Sequence, residues 1–143
     1  MNNPELVEFI EKHFQAVKAK NTEIILSTYA KTNDLLVFVE GPRWATLSYE
    51  RVAKGWTDFA DSAISVENCE WIEFLQAKAV GDMGFVAGIV EMQANINGAI
   101  KIIKFRGTFI MEKSAETGWK VIHEHFSQPA EDPYGIGDWL KKD

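Results

Sequence analysis

Apolar residues change their period once along this chain. Up to about residue 61 they recur at intervals of three and four; from Val66 onward they alternate. Leu6, Phe9, Ile10, Phe14 and Val17 make the first helical stripe, with His13 on the same face. Asn3 is placed to cap that helix and Pro4 to occupy its first turn. After a polar break at 18–21, Thr22 is expected to cap a shorter helix ending at Tyr29, with Ile25, Leu26 and Tyr29 inward. Residues 35–40 read as a short apolar strand closed by Gly41-Pro42, and Trp44 lies in the loop beyond. Ser48 opens a third helix over 48–61, whose Tyr49, Val52, Trp56 and Phe59 form a wide aromatic stripe.

Four strands follow, at about 66–80, 85–94, 100–112 and 119–127, joined by hairpin-sized connections. Alternation in the first is imperfect around Gln76 to Ala79, which predicts a bulge there. Helices followed by a run of antiparallel strands predict an α+β fold. One curved sheet wrapped around the helices leaves a cone with an open end. A single domain over 1–128 is expected, with a tail at 129–143. The tail's Tyr134, Ile136 and Trp139 can pack on the body or on a neighbouring chain.

Strand parity sorts the sheet into two faces. Val90, Met92, Phe105, Phe109, Ile122 and Phe126 make a nearly apolar face, which must cover the helices. Glu91, Gln93, Arg106, Thr108, His123 and His125 make an amphiphilic one, together with Val121 and Ser127. That mixture suits a subunit contact, so a homodimer through Glu91, Arg106, Thr108, His123 and His125 is expected. Glu124 is the exception, a carboxylate on the apolar face. It must be solvated at the open end, or partnered, or raised in pKa.

Composition narrows the partners. The net charge of -6 argues against nucleic acid and anionic membranes. Cys69 is the one cysteine, expected as a small buried hydrophobe and not a nucleophile. No secretory leader or membrane-length apolar run is visible, so a cytoplasmic protein is expected. Twelve per cent aromatic residues is high for 143 residues, and suits a thick core, an aromatic-lined cavity or a buried interface.

Gly118-Trp119, followed by Val121, His123, His125 and Ser127, resembles the closing strand of the SnoaL-like branch of the nuclear transport factor 2-like superfamily. Gly81-Asp82 before a strand, Arg106 and Thr108 before the final hairpin, and the short helix at 21–29 fit as well. The likeness runs from the start of the chain to Pro129. It implies a cone-shaped, cystatin-like α+β barrel, a pocket inside the cone, and dimers through the outer sheet face. The superfamily includes ketosteroid isomerases, polyketide cyclases, dehydratases and the association domain of calcium/calmodulin-dependent kinase. The arginines inside the kinase domain's pocket correspond here to Val90, Phe109 and Phe126, and the isomerase trio finds no counterpart.

Three functions remain open at this level. The first is binding of a small hydrophobic or carbonyl-containing molecule in a pocket lined by Trp44, Tyr49, Trp56, Phe59, Val90, Met92, Phe105, Phe109 and Phe126. The second is an isomerase-, cyclase- or dehydratase-type enzyme in the same pocket. Glu124 would move the proton, and Tyr49 or His13 would polarise a carbonyl. The third is a homo-oligomeric interaction module with a filled pocket. His123, His125 and Glu91 are too weak a set to predict a metal. No phosphate-binding loop or nucleophile elbow is present, so no cofactor is expected.

Overall fold

A computed structural model describes residues 1–39 and 41–138; Trp139 lies outside them. Helix α1 (Pro4–Ala19) is capped by Asn3, whose side chain accepts from the Leu6 amide. Its stripe of Leu6, Ile10, His13, Phe14 and Val17 is buried. Helix α2 (Thr22–Ser27) is capped by Asn21, not Thr22, and stops two residues short of Tyr29. Asn is at least as good a cap as Thr, and here it accepts from the Ile24 amide. Helix α3 (Tyr49–Asp61) begins after Ser48, as its sequence predicts.

Strands β1 (Leu36–Phe38), β2 (Thr46–Leu47), β3 (Ser65–Val80), β4 (Met83–Ile96), β5 (Ala99–Ser114) and β6 (Gly118–Ser127) form one sheet in the order β2-β1-β6-β5-β4-β3. The architecture is the expected α+β cone, with three helices on a curved, unclosed sheet. Two features of the sheet differ from expectation. Strand β2 is too short to carry a periodic signal. And β1 runs parallel to β6, so the sheet is mixed. The irregular part of β3 lies between Val66 and Gln76, with Phe74 in the left-handed region at φ 57, and 76–80 pairs regularly.

The inner face matches the parity assignment on β4 and β5. Val86, Val90, Phe105, Phe109 and Met111 are all buried beneath the helices. The helix sits very close to the sheet: a Cβ on Gly84 would stand 2.7 Å from Leu6 Cδ1. On β6 the parity assignment fails at one end. Met111 pairs with Val121 and Ile110 with His123, leaving Ile122 as an extra, half-buried residue. This bulge turns Val121 to the inner face, fully buried, instead of the histidine face. Glu124 and Phe126 remain inward. Cys69 is buried. Tyr134 and Ile136 in the tail are exposed. No helix among the described residues is long and apolar enough to cross a membrane.

Candidate functional site

Between α3 and the inner face of the sheet lies a cavity of about 820 Å³. Helix α3 contributes Arg51, Val52, Gly55, Trp56 and Phe59; the sheet contributes Val37, Thr46, Val66, Met92, Ile103 and Phe105. Glu124 also lines it, although the residue is only 4% exposed. Helix α3 turns Gly55 to this cavity. A Cβ there would meet nothing within 4 Å.

Two chain segments pack along the same edge of β6 to build the deep end. Val37 of β1 pairs with Glu124. Just before it, Tyr29 bridges to Val121: the Ala30 amide donates to Val121 O at 2.9 Å, and the Val121 amide to Thr28 O at 2.8 Å. This places the Tyr29 ring alongside Glu124. Tyr29 Oη donates to Glu124 Oε1 at 2.6 Å, and Trp56 Nε1 donates to Tyr29 Oη at 3.1 Å. Burial holds the Tyr29 phenol well above its ordinary pKa of 10, and the Glu124 charge and hydrogen bond push the same way. Tyr29 is therefore a protonated donor committed to Glu124.

His13 lies behind this pair, its ring 5.6 Å from both the Tyr29 and Trp56 rings. Its Nδ1 is hydrogen-bonded with Thr28 Oγ1 at 3.2 Å. Burial pulls its pKa from 6.5 to about 4, so the imidazole is neutral. At the deep end a carboxylate is thus held by a phenol, the phenol accepts from an indole N–H, and a neutral imidazole packs behind them.

Of the side chains expected to line the pocket, Trp56, Phe59, Met92 and Phe105 do so. Trp44 does not: it is 95% exposed on its loop. Val90, Phe109 and Phe126 lie in the packed core beside the cavity and do not reach it. Neither Tyr49 nor His13 lines it. Tyr49 is half-buried against the core, with Lys31 Nζ 5.8 Å from its ring centroid. Glu124 is instead held by Tyr29, whose hydroxyl accepts from Trp56 Nε1. Trp56 was foreseen only as wall and Tyr29 only as core. One signal was available, since a buried tyrosine hydroxyl demands a hydrogen-bond partner.

The outer face carries Glu91, Arg106, Thr108, His123 and His125. Glu91 pairs in register with Lys104, and Arg106 Nη2 donates to Gln128 O at 3.0 Å. Phe38 of β1 stands edge-on to both histidine rings, at 5.2 and 5.3 Å. Among the described residues, no group of three His, Cys, Asp or Glu is placed to hold a metal.

Comparison with curated proteins by sequence finds no match. Solved structures match over nearly the whole chain. A nuclear transport factor 2-like superfamily protein from Salmonella enterica serovar Typhimurium superposes with a TM-score of 0.77 at 17% identity, covering 94% of this chain and 96% of that one. A putative calcium/calmodulin-dependent protein kinase II association domain from Xanthomonas campestris gives 0.74 at 18% identity, covering 90% and 88%. A ketosteroid isomerase-like protein from Erwinia carotovora gives 0.69 at 16%, covering 87% and 94%. At these identities the likeness establishes the shared cone fold. The SnoaL-like domain matches residues 6–131, and the chain belongs to that family.

Proposed function

We propose that this protein binds a small, mostly apolar or carbonyl-containing molecule between α3 and the sheet. The observation that supports this reading is the cavity itself. About 820 Å³ is the size of a typical ligand site, and aliphatic and aromatic side chains supply most of the wall. The uncharged dye N-phenyl-1-naphthylamine should bind there with enhanced fluorescence. Gly55→Trp, which puts a large ring where a Cβ meets no neighbour, should abolish the enhancement while the protein still melts cooperatively. An equal dye response in the folded variant and the parent would defeat the reading.

A second reading, an isomerase- or cyclase-type enzyme, is favoured by one observation: Glu124 faces the cavity and is held at Oε1 by Tyr29. A carboxylate placed so can take a proton α to a carbonyl. The proton on Tyr29 is already directed at Glu124, so the phenol does not polarise the substrate with it. In D₂O the protein should accelerate α-proton exchange of 2-tetralone, and Glu124→Gln should lose the acceleration. No acceleration by the parent protein leaves the binding role alone standing.

We also propose a homodimer through the outer face. The half-buried His123, the exposed His125 and Phe38 form a mixed apolar and polar patch of the kind interfaces use. Sedimentation at micromolar concentration should show a species of twice the 16.2 kDa chain mass. A monomer alone under those conditions rules this out.

A further inference from the structure

The cavity reverses the charge balance of the chain. The sequence carries 15 Lys and Arg against 21 Asp and Glu. Among the described residues the cavity is lined by Arg43, Arg51, Lys101 and Lys104 but by a single carboxylate, Glu124. The Lys54–Asp58 ion pair involves none of those four. The charges are also separated by depth. All four cations are exposed, and Glu124 is buried. A concave site with apolar walls focuses such a field on an incoming ligand.

The sheet register fixes the separation. Arg43 Nη1 donates to Thr46 Oγ1 at 3.4 Å. Thr46 pairs with Val37, and Val37 with Glu124. Two strand spacings put the backbone at Thr46 about 10 Å from that at Glu124. That is the length of a two-ring molecule. Arg43 lies in the loop before β2 and Arg51 in the first turn of α3, both on the cavity wall, and a guanidinium fork suits a carboxylate or sulfonate. An anionic group pushed to the deep end would instead meet the Glu124 carboxylate in apolar surroundings, where like charges repel strongly.

We propose that the site takes an amphipathic organic anion. The apolar, ring-sized body lies inward on Trp56 and Phe105, and one carboxylate or sulfonate stays at the mouth with Arg43 and Arg51. This rests on the pocket reading above and adds the ligand's charge and orientation to it.

Two dyes with the same ring body decide it. 8-Anilinonaphthalene-1-sulfonate is N-phenyl-1-naphthylamine with a sulfonate added. At low ionic strength the sulfonated dye should bind about tenfold more tightly than the neutral one. The preference should shrink in about 0.5 M NaCl, because exposed charges are screened. In the Arg43→Gln/Arg51→Gln double variant the ratio of the two affinities should fall toward one. Gly55→Trp should remove the sulfonated dye as well, which places it in the cavity. Equal affinities in the parent, or a ratio unmoved in the double variant, overturn the anion proposal while leaving the pocket reading intact. Retention of the sulfonated dye by Gly55→Trp also overturns it, since the dye would then sit elsewhere. Binding of neither dye defeats the pocket reading and the proposal with it.

Discussion

Val90→Arg is expected to leave the chain without a cooperative unfolding transition at room temperature. Val90 is fully buried on β4, between Phe105 of β5 and Trp71 of β3 in register. A Cβ added on the neighbouring Gly107 would already lie 3.2 Å from Val90 Cγ2, so there is no slack for a longer side chain. The guanidinium would be buried without a partner, and the cost, on the order of 5 kcal/mol or more, consumes most of the stability of a domain this size. A milder companion is Phe109→Ala. Phe109 is 1% exposed and touches the rings of His13, Phe14, Trp71 and Phe126 at centroid distances of 5.5 to 6.3 Å. Its truncation should cost about 3–5 kcal/mol by denaturant titration. Should either variant melt within a degree or two of the parent, the inner and outer faces of the sheet have been exchanged.

The second large effect is on acid stability, and His13 is its source. The folded imidazole titrates at about 4, and the unfolded one at the ordinary 6.5. Between those values the unfolded chain binds a proton that the folded chain refuses. Stability is therefore complete above about pH 7, falls as the pH drops through 6.5, and levels off below 4. The full loss is roughly 3 kcal/mol, and about 1.4 kcal/mol of it appears between about pH 7.5 and pH 5.5, before most carboxylates titrate. Urea unfolding at those two pH values should show this difference in the parent. His13→Leu should show a slope smaller by that amount, whatever its absolute stability. A variant with the parent's slope would mean that His13 is protonated without cost in the folded state. Tyr29 adds an alkaline limb. Its phenol is held well above 10 in the fold, so stability falls as the pH rises past 10, where only the unfolded chain releases the proton.

Local patterns along the chain were sufficient for the existence of the three helices and the four long strands. Asn3-Pro4 and Ser48 start helices where the structure starts them, because a cap depends only on residues one turn away. The faces of β4 and β5 follow from alternation, since a long paired strand has a fixed period of two. Glu124 was legible as a carboxylate on an apolar face for the same reason.

Contacts between residues far apart in the chain decided the rest. The bulge at Ile122 depends on how β6 meets β5, and it moved Val121 to the core against the parity of its own strand. The parallel pairing of β1 with β6 joins residues 87 apart, and two or three residues of strand carry no sign of which edge they will join. The partner of Glu124 is the clearest case. Tyr29 lies 95 residues away, and nothing near either residue names the other. Only the cone, by closing α3 and the 28–30 segment over β6, places a phenol on that carboxylate and an indole on the phenol. The same closure leaves Arg43 and Arg51 at the mouth of the cavity and Trp44, one residue from Arg43, in solvent. Whether a side chain on a loop faces a cavity or water depends on the path of the loop across the finished surface, and composition holds no record of that path.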